Sequence, residues 1–253
     1  MNKQIVKILS KTEFHKFIET FQDSEKEQNV TVYPPDLKDL YSLYVKVREN
    51  KAMAVLEFGS GWSTLVLFKA LDENRISYSH LTASTIRHPN PYTLMTVDCS
   101  QHFQSISLQR IVTTASETKV IPIITSAKMT VLNDQACHLF EKIPTFTADF
   151  IYLDGPDCDQ VHGDVNGMSV SFGDSKKMYG LPMAADLLLL EPFFWPGTTI
   201  ITDGRGANAY FLRTNFKRNW NYNYDQECDQ HSFYLDENPW GSISKALLNL
   251  KKL

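Results

Sequence analysis

An α/β fold built on a mostly parallel sheet is predicted by three observations. Short apolar runs alternate with helical runs from about residue 51 to residue 216. Those runs are too short and too uniformly apolar for half-exposed strands, as a sheet covered on both faces requires. Three of them close on an aspartate, Asp98, Asp154 and Asp203. A length of 253 residues suits one such unit with additions at its ends.

The elements follow in order. Residues 11–29 place Phe14, Phe17, Ile18 and Phe21 at helical spacing, an amphipathic helix that Tyr33-Pro34-Pro35 ends. Asp36 stands where an N-cap belongs, ahead of a second helix with Leu37, Leu40, Leu43 and Tyr44 on one side. Residues 1–50 are therefore expected to form an N-terminal helical cap on a domain spanning 51–253. Strands are expected at 53–58, 92–98, 120–125, 149–154 and 197–203, with helices at 64–71, 184–194 and 207–216. Residues 72–91 read as an insertion, provisionally a surface excursion. Residues 128–143 read as a hairpin turning at Asn133-Asp134, with an irregular helix as the alternative. Residues 220–235 alternate aromatic and polar side chains and read as a C-terminal antiparallel hairpin turning near Glu227–Asp229.

Composition narrows the function classes. Hydrophobic residues are 43% and charged residues 21%, values of an ordinary folded protein. With 25 basic against 29 acidic residues, no cationic excess is present to neutralise a phosphate backbone, so nucleic acid is not expected as a partner. Cys99, Cys137, Cys158 and Cys228 form no C-x-x-C pair, so neither a disulfide framework nor a structural zinc site is expected. Residues 1–16 lack the apolar stretch of a secretory signal, and the most apolar segment, 183–202, holds Asp186, Glu191 and two prolines. A cytoplasmic protein without a membrane span is expected. Nothing in the chain sets its oligomeric state.

In an open parallel sheet, ligands bind at the carboxyl ends of the strands. Asp98, Asp154 and Asp203 should therefore share one rim with the Gly59-Ser60-Gly61 turn, although each aspartate taken alone reads equally well as a helix cap. The turn needs a backbone free to bend sharply and lie close to a ligand, and the helix after it offers unpaired N–H groups. A dinucleotide fingerprint wants a small third residue where Thr64 stands, and Glu57 would repel a pyrophosphate but attract an ammonium.

VLEFGSGWST resembles motif I of class I S-adenosylmethionine-dependent methyltransferases, in the variant with Ser in place of the third glycine. TVDCS, FIYLDGPD and IITDGR are similar to the strand-end acidic motifs that follow it, so the resemblance spans roughly residues 36–235. It implies a Rossmann-like methyltransferase sandwich. DFIYLDGPD with GTTIITDGRGANAYFL also resembles methyltransferases of bacterial surface-polysaccharide pathways, which implies a small acceptor, a sugar hydroxyl or a phosphorylated precursor.

Carried over by residue, the resemblance implies that Glu57 meets the cofactor's amino group and that Phe58, Gly59, Ser60 and Gly61 pass beneath its methionyl part and ribose. Ser63 and Thr64 would meet the carboxylate, and Asp98 the ribose hydroxyls. The 37 residues from Gly61 to Asp98 exceed the roughly 20 usual for such a unit. Asp154 is the first candidate for the base that takes the acceptor's proton, with Asp203 as its orienting partner. Catechol-type relatives instead hold a divalent ion such as Mg between two such aspartates and an Asn. Here Gly204 follows Asp203, and Asn208 is the nearest substitute. Arg205 would clamp a carboxylate or phosphate of the acceptor, or else pair with Asp203. His138, His162 and His231 read as ordinary histidines. The long stretch 156–180 reads as an acceptor lid. A nicotinamide-dependent oxidoreductase and a non-catalytic scaffold are the rival functions.

Overall fold

A computed structural model describes residues 8–27, 33–85, 88–112, 114, 116–142, 145–170 and 183–252. Helices α1 (Lys11–Glu27) and α2 (Leu37–Glu49) precede strand β1 (Ala54–Phe58) and helix α3 (Trp62–Thr85). Then come β2 (Thr93–Asp98), α4 (Gln101–Val112), β3 (Lys119–Ile124), β4 (Ala127–Leu132), β5 (Gln135–Phe140), β6 (Phe150–Leu153) and β7 (Val161–His162). The chain closes with α5 (Asp186–Leu190), β8 (Thr199–Asp203), α6 (Gly206–Asn215), β9 (Trp220–Asp225), β10 (Gln230–Leu235) and α7 (Ser242–Lys252).

Seven strands form the main sheet in the order β3-β2-β1-β6-β8-β10-β9. All neighbours run parallel except β10, which is antiparallel to both β8 and β9. This is the Rossmann-like sandwich expected from the sequence, with its antiparallel hairpin at one edge. Strand order reverses between β1 and β6, so a crevice opens beyond their carboxyl ends. Every residue of β1, β2 and β6 is buried, so their few polar side chains, Glu57, Thr93, Thr96 and Asp98 among them, are buried with the apolar ones.

Asp36 caps α2 as expected, accepting from the backbone N–H groups of Lys38 and Asp39. Phe14 and Ile18 of α1, and Leu43, Tyr44 and Val47 of α2, share one apolar core with Val55 of β1 and Leu65 and Val66 of α3. Residues 128–143 contain the hairpin rather than a helix: Asn133 and Asp134 take φ of 52° and 59°, the left-handed pair that joins β4 to β5. That hairpin belongs to a separate sheet of order β5-β4-β7.

Two expectations need correction. Residues 72–85 are no excursion, because α3 continues through them; Asn74 is buried and donates to the carbonyls of Val47 and Ala52, locking that helix to the end of α2. The expected helix 184–194 shrinks to α5 and a 3-10 turn at Glu191–Phe193, since Pro192 cannot continue an α-helix. Of the expected lid, 156–180, residues 171–180 lie outside the described residues.

Candidate active site

The turn after β1 is shaped by an approach of two backbones. Gly59 has φ of +92°, and a Cβ there would lie 2.9 Å from the Cα of Gly155. Gly155 is as tightly placed, its own Cβ falling 2.5 Å from the Cα of Gly59. Backbone hydrogen bonds from Asp154 N to Phe58 O (2.9 Å) and from Gly59 N to Val97 O (2.8 Å) hold the crossing. Neither position tolerates a side chain.

Glu57 organises this turn from behind. Its buried carboxyl accepts from the Ser63 hydroxyl at 2.7 Å and from the Thr64 hydroxyl at 2.8 Å. Thr64 Oγ1 in turn accepts from Gly61 N at 3.0 Å. Burial pushes the Glu57 carboxyl up to about 8, against the pull of the Ser63 and Thr64 hydroxyls. Asp98 joins β2 to the same turn: one carboxylate oxygen accepts from Ser60 N and the other from Ser100 N at 2.6 Å. Ser60 Oγ and Thr96 Oγ1 make a further bond of 2.9 Å. The long spacing from Gly61 to Asp98 is thus filled by a helix, and the aspartate still reaches the turn.

Beside the turn lies a cavity of about 300 Å³. One part of its wall comes from Gly59 to Ser63, Asp98, and Phe103, Ile106, Ser107 and Arg110 of α4. The Arg110 guanidinium stacks 3.8 Å from the centre of the Trp62 ring. The rest of the wall is acidic: Asp36, Asp39, Asp154, Asp157 and Asp203, with Tyr152 among them. Tyr33, Pro34 and Pro35 complete it, and Trp62 Nε1 donates to the Tyr33 carbonyl at 3.1 Å, joining the turn to the segment before α2.

Of the residues picked out by sequence, Gly59, Ser60, Gly61, Ser63, Asp98, Asp154 and Asp203 face this cavity together. Glu57, Phe58 and Thr64 do not. The Glu57 carboxyl is closed off by its two hydroxyl donors, Thr64 is buried against it, and Phe58 stacks on Phe140 with ring centres 5.7 Å apart. They build the turn and are not among the residues that wall the cavity. Sequence reading missed Asp36, Asp39, Tyr152 and α4. For Tyr152 the signal was present, two residues before Asp154 on the same strand; for the rest it was not.

Arg205 also departs from expectation. It pairs with Asp154 rather than Asp203, with Nε 3.4 Å from Oδ1. Its other donors reach the carbonyls of Asp154 (2.6 Å) and Pro156 (3.1 Å). The guanidinium therefore braces the loop after β6 and is not turned toward an incoming acceptor.

The carboxylates differ in their company. Asp154 is pushed up to about 7 by loss of water around its carboxyl and by the charges of Asp203 and Asp157, despite Arg205. Asp39 is pushed up to about 6 by burial and by the nearby charges of Asp203 and Asp36. Asp203 is raised by burial while Tyr152 and Gln230 donate to it. Its surroundings and a hydrogen bond to Asp203 hold the Tyr152 phenol well above the usual range. A divalent ion does not fit this donor set. Asp154 already carries a guanidinium, and Asn208, the substitute third ligand, is buried with its amide donating to Ala184 O and accepting from Ala184 N. Among the described residues no group of three His, Cys, Asp or Glu side chains is placed to hold a metal.

His231 stacks on Tyr222 and Tyr224 and shares a 2.8 Å hydrogen bond with the Tyr222 hydroxyl, so it serves the hairpin. His138 is buried, its imidazole held well below the usual range at about 4 by loss of water. Among the described residues no helix is long and apolar enough to cross a membrane.

No family model matches the chain, and no curated protein does. Solved structures do resemble it. The O-methyltransferase TomG from Streptomyces achromogenes, involved in tomaymycin synthesis and crystallised with S-adenosylmethionine, is 11% identical, with 93% of each chain covered and a TM-score of 0.44. A methyltransferase from Geobacter sulfurreducens is 10% identical over 88% of this chain and 89% of its own, with a TM-score of 0.48. The S-adenosylhomocysteine-bound methyltransferase PaMTH1 of Podospora anserina is 14% identical over 92% of this chain and all of its own, with a TM-score of 0.45. At such identities, and with TM-scores under 0.5, these likenesses do not say what this chain binds or transfers.

Proposed function

We propose that the chain is an S-adenosylmethionine-dependent methyltransferase acting on a hydroxyl of a small acceptor. One observation carries the reading: the Gly59–Gly61 turn and the Asp98 carboxylate, joined through Ser60 N–H, wall the same cavity as Tyr152, Asp154 and Asp203. The walls fit the cofactor. A Cβ on Gly61 would meet only Ser63 Oγ, at 3.9 Å, so space for a ligand lies directly over that backbone. Asp98 lines that cavity beside the turn, where its carboxylate would meet the ribose hydroxyls. In this reading Gly59, Ser60, Gly61, Ser63 and Asp98 hold the cofactor, while Glu57, Phe58 and Thr64 fix the turn.

Bound there, S-adenosylmethionine supplies a methyl group on a sulfonium. The residues of the chain must align an acceptor oxygen with it, exclude water and receive the hydroxyl proton. Asp154 and Asp203 are the groups on the cavity wall that can take that proton, with Arg205 bracing Asp154. No divalent ion is invoked, because Arg205 and Asn208 already have other partners. Residues 1–50 act as a cap on the catalytic domain of residues 51–253, supplying Tyr33, Asp36 and Asp39 to its cavity. The acceptor suggested by the polysaccharide-pathway resemblance is a sugar hydroxyl; five wall carboxylates favour its neutral form over a phosphorylated one. The four free thiols suit a cytoplasmic setting, and no nucleic acid is invoked.

The test is calorimetry with S-adenosylhomocysteine and, separately, NAD. Binding of the first in the micromolar range, weakened at least about tenfold by Asp98→Ala, is expected. Binding of NAD instead, or of neither, rejects the reading.

A further inference from the structure

The two strand-end carboxylates that face the acceptor side are not equivalent. Asp154 has a cationic partner in Arg205, and the loop it opens is pinned by the same guanidinium. Asp203, at the end of β8, has among the described residues only neutral partners: the Tyr152 phenol from β6 and the Gln230 amide from β10, its cross-strand neighbour. Gln230 is fixed in turn by α2, accepting from Lys46 Nζ at 2.7 Å and Ser42 Oγ at 3.1 Å and donating to the Asp39 carbonyl at 3.2 Å.

The charges around Asp203 are mostly of its own sign. Asp36 and Asp39 face it from α2 and its cap, Asp229 from the β9–β10 turn, and Asp154 from β6. Lys46 reaches Asp203 only through Gln230. Like charges favour the protonated form of a carboxylate and a cationic partner the ionised form. The Asp154 carboxylate is thus engaged by a guanidinium, whereas Asp203 lines the cavity with no cationic partner among the described residues.

We propose that Asp203, oriented by Tyr152 and Gln230, is the base that receives the acceptor's proton, and that Asp154 is a structural partner of Arg205. The inference rests on the methyltransferase reading above. In the step, the acceptor oxygen forms a bond to the methyl carbon as the carbon–sulfur bond breaks. The bonding pair leaves on sulfur, neutralising the sulfonium, and the hydroxyl proton passes to the Asp203 carboxylate. Tyr152 is a positioning residue: it lines the cavity yet is nearly inaccessible, and its hydrogen bond to the Asp203 carboxylate restrains that group.

Sinefungin tests this without a known acceptor, because it carries an amine where the transferred methyl of the cofactor would sit. Calorimetry compares sinefungin with S-adenosylhomocysteine from pH 5 to 9 in wild type, Asp154→Asn, Asp203→Asn and Tyr152→Phe. Wild type should favour sinefungin by about tenfold once the nearby carboxylate ionises. Asp203→Asn should abolish that preference while S-adenosylhomocysteine still binds, and Asp154→Asn should keep it. In Tyr152→Phe the preference should set in at higher pH, because a carboxylate without its donor holds its proton more firmly. A preference lost with Asp154→Asn and kept with Asp203→Asn overturns the assignment, as does its absence from wild type or an unshifted profile in Tyr152→Phe. Failure of wild type to bind S-adenosylhomocysteine would reject the methyltransferase reading itself.

Discussion

Arg205 lies along Asp154 with Nε 3.4 Å from Oδ1, and the same guanidinium bonds the carbonyls of Asp154 and Pro156. A residue that follows a strand-end aspartate in sequence thus secures the loop of a neighbouring strand. The charge pair is partly exposed and contributes little by itself; the bonds to two carbonyls matter more. Arg205→Ala should lower stability by about 1–2 kcal/mol, read as a fall in the thermal midpoint. Lysine should not restore it, since a point charge cannot serve three acceptors in a plane. An unchanged midpoint in Arg205→Ala would show that the loop holds without it.

Gly155→Ala tests the backbone crossing. Its Cβ would fall 2.5 Å from the Cα of Gly59, so the two loops must part. Binding of S-adenosylhomocysteine should drop at least about tenfold, with a stability loss of about 1–3 kcal/mol. Gly163→Ala is the control: nothing lies within 4 Å of its Cβ position, though its φ of +79° costs some strain. Equal binding by both variants would remove the crossing from the site.

Stability should fall as pH rises from about 4 to about 8. Glu57 and Asp186 are buried carboxyls pushed up to about 8 and about 7, in both cases by loss of water. Below the ordinary carboxylate range both are protonated whether the chain is folded or not. As pH rises the unfolded chain ionises first, so each group withdraws up to about 1.4 kcal/mol per pH unit until its folded form ionises too. Urea midpoints should decline over that window and level beyond it. Asp186→Asn, which keeps an acceptor for Phe140 N, should decline less steeply. A midpoint that rises between pH 5 and 8 contradicts this account.

The C-terminal helix is fastened by a buried ion pair. Lys251 Nζ lies 3.2 Å from Asp149 Oδ2 and also donates to the Gly197 carbonyl at 2.9 Å, while Asp149 Oδ1 accepts from Met53 N and Ala54 N. Lys251→Met leaves Asp149 charged and uncompensated, at a cost of about 3–5 kcal/mol. The double variant with Asp149→Asn should cost less than the sum of the two single ones. Additive effects in urea denaturation would mean that the pair is not coupled.

What could be read in advance depended on range. The strands of the parallel sheet were legible because burial on both faces leaves short apolar runs, as in Phe150–Leu153. Asp36 and Asn133-Asp134 were legible because a cap and a left-handed turn are local chemistry. Helix α4 was not, since Gln104, Ser107 and Arg110 are buried on it and blur its apolar period. The site was half legible. Gly59, Gly61 and Asp98 follow from one strand and its neighbour, whereas the Arg205–Asp154 pair and the placing of Asp36 and Asp39 arise between segments far apart in sequence.

The cavity draws its wall from several stretches of chain, the strand ends at Asp154 and Asp203 among them. Residues 59–110 furnish the turn, Asp98 and α4, while Tyr33–Asp39 and, behind the wall, Gln230 come from opposite ends and are latched together through Ser42 and Lys46. Substitutions near residues 33–39 or at Gln230 can therefore reshape one side of this cavity while the Gly59–Gly61 turn and Asp98 stay as they are.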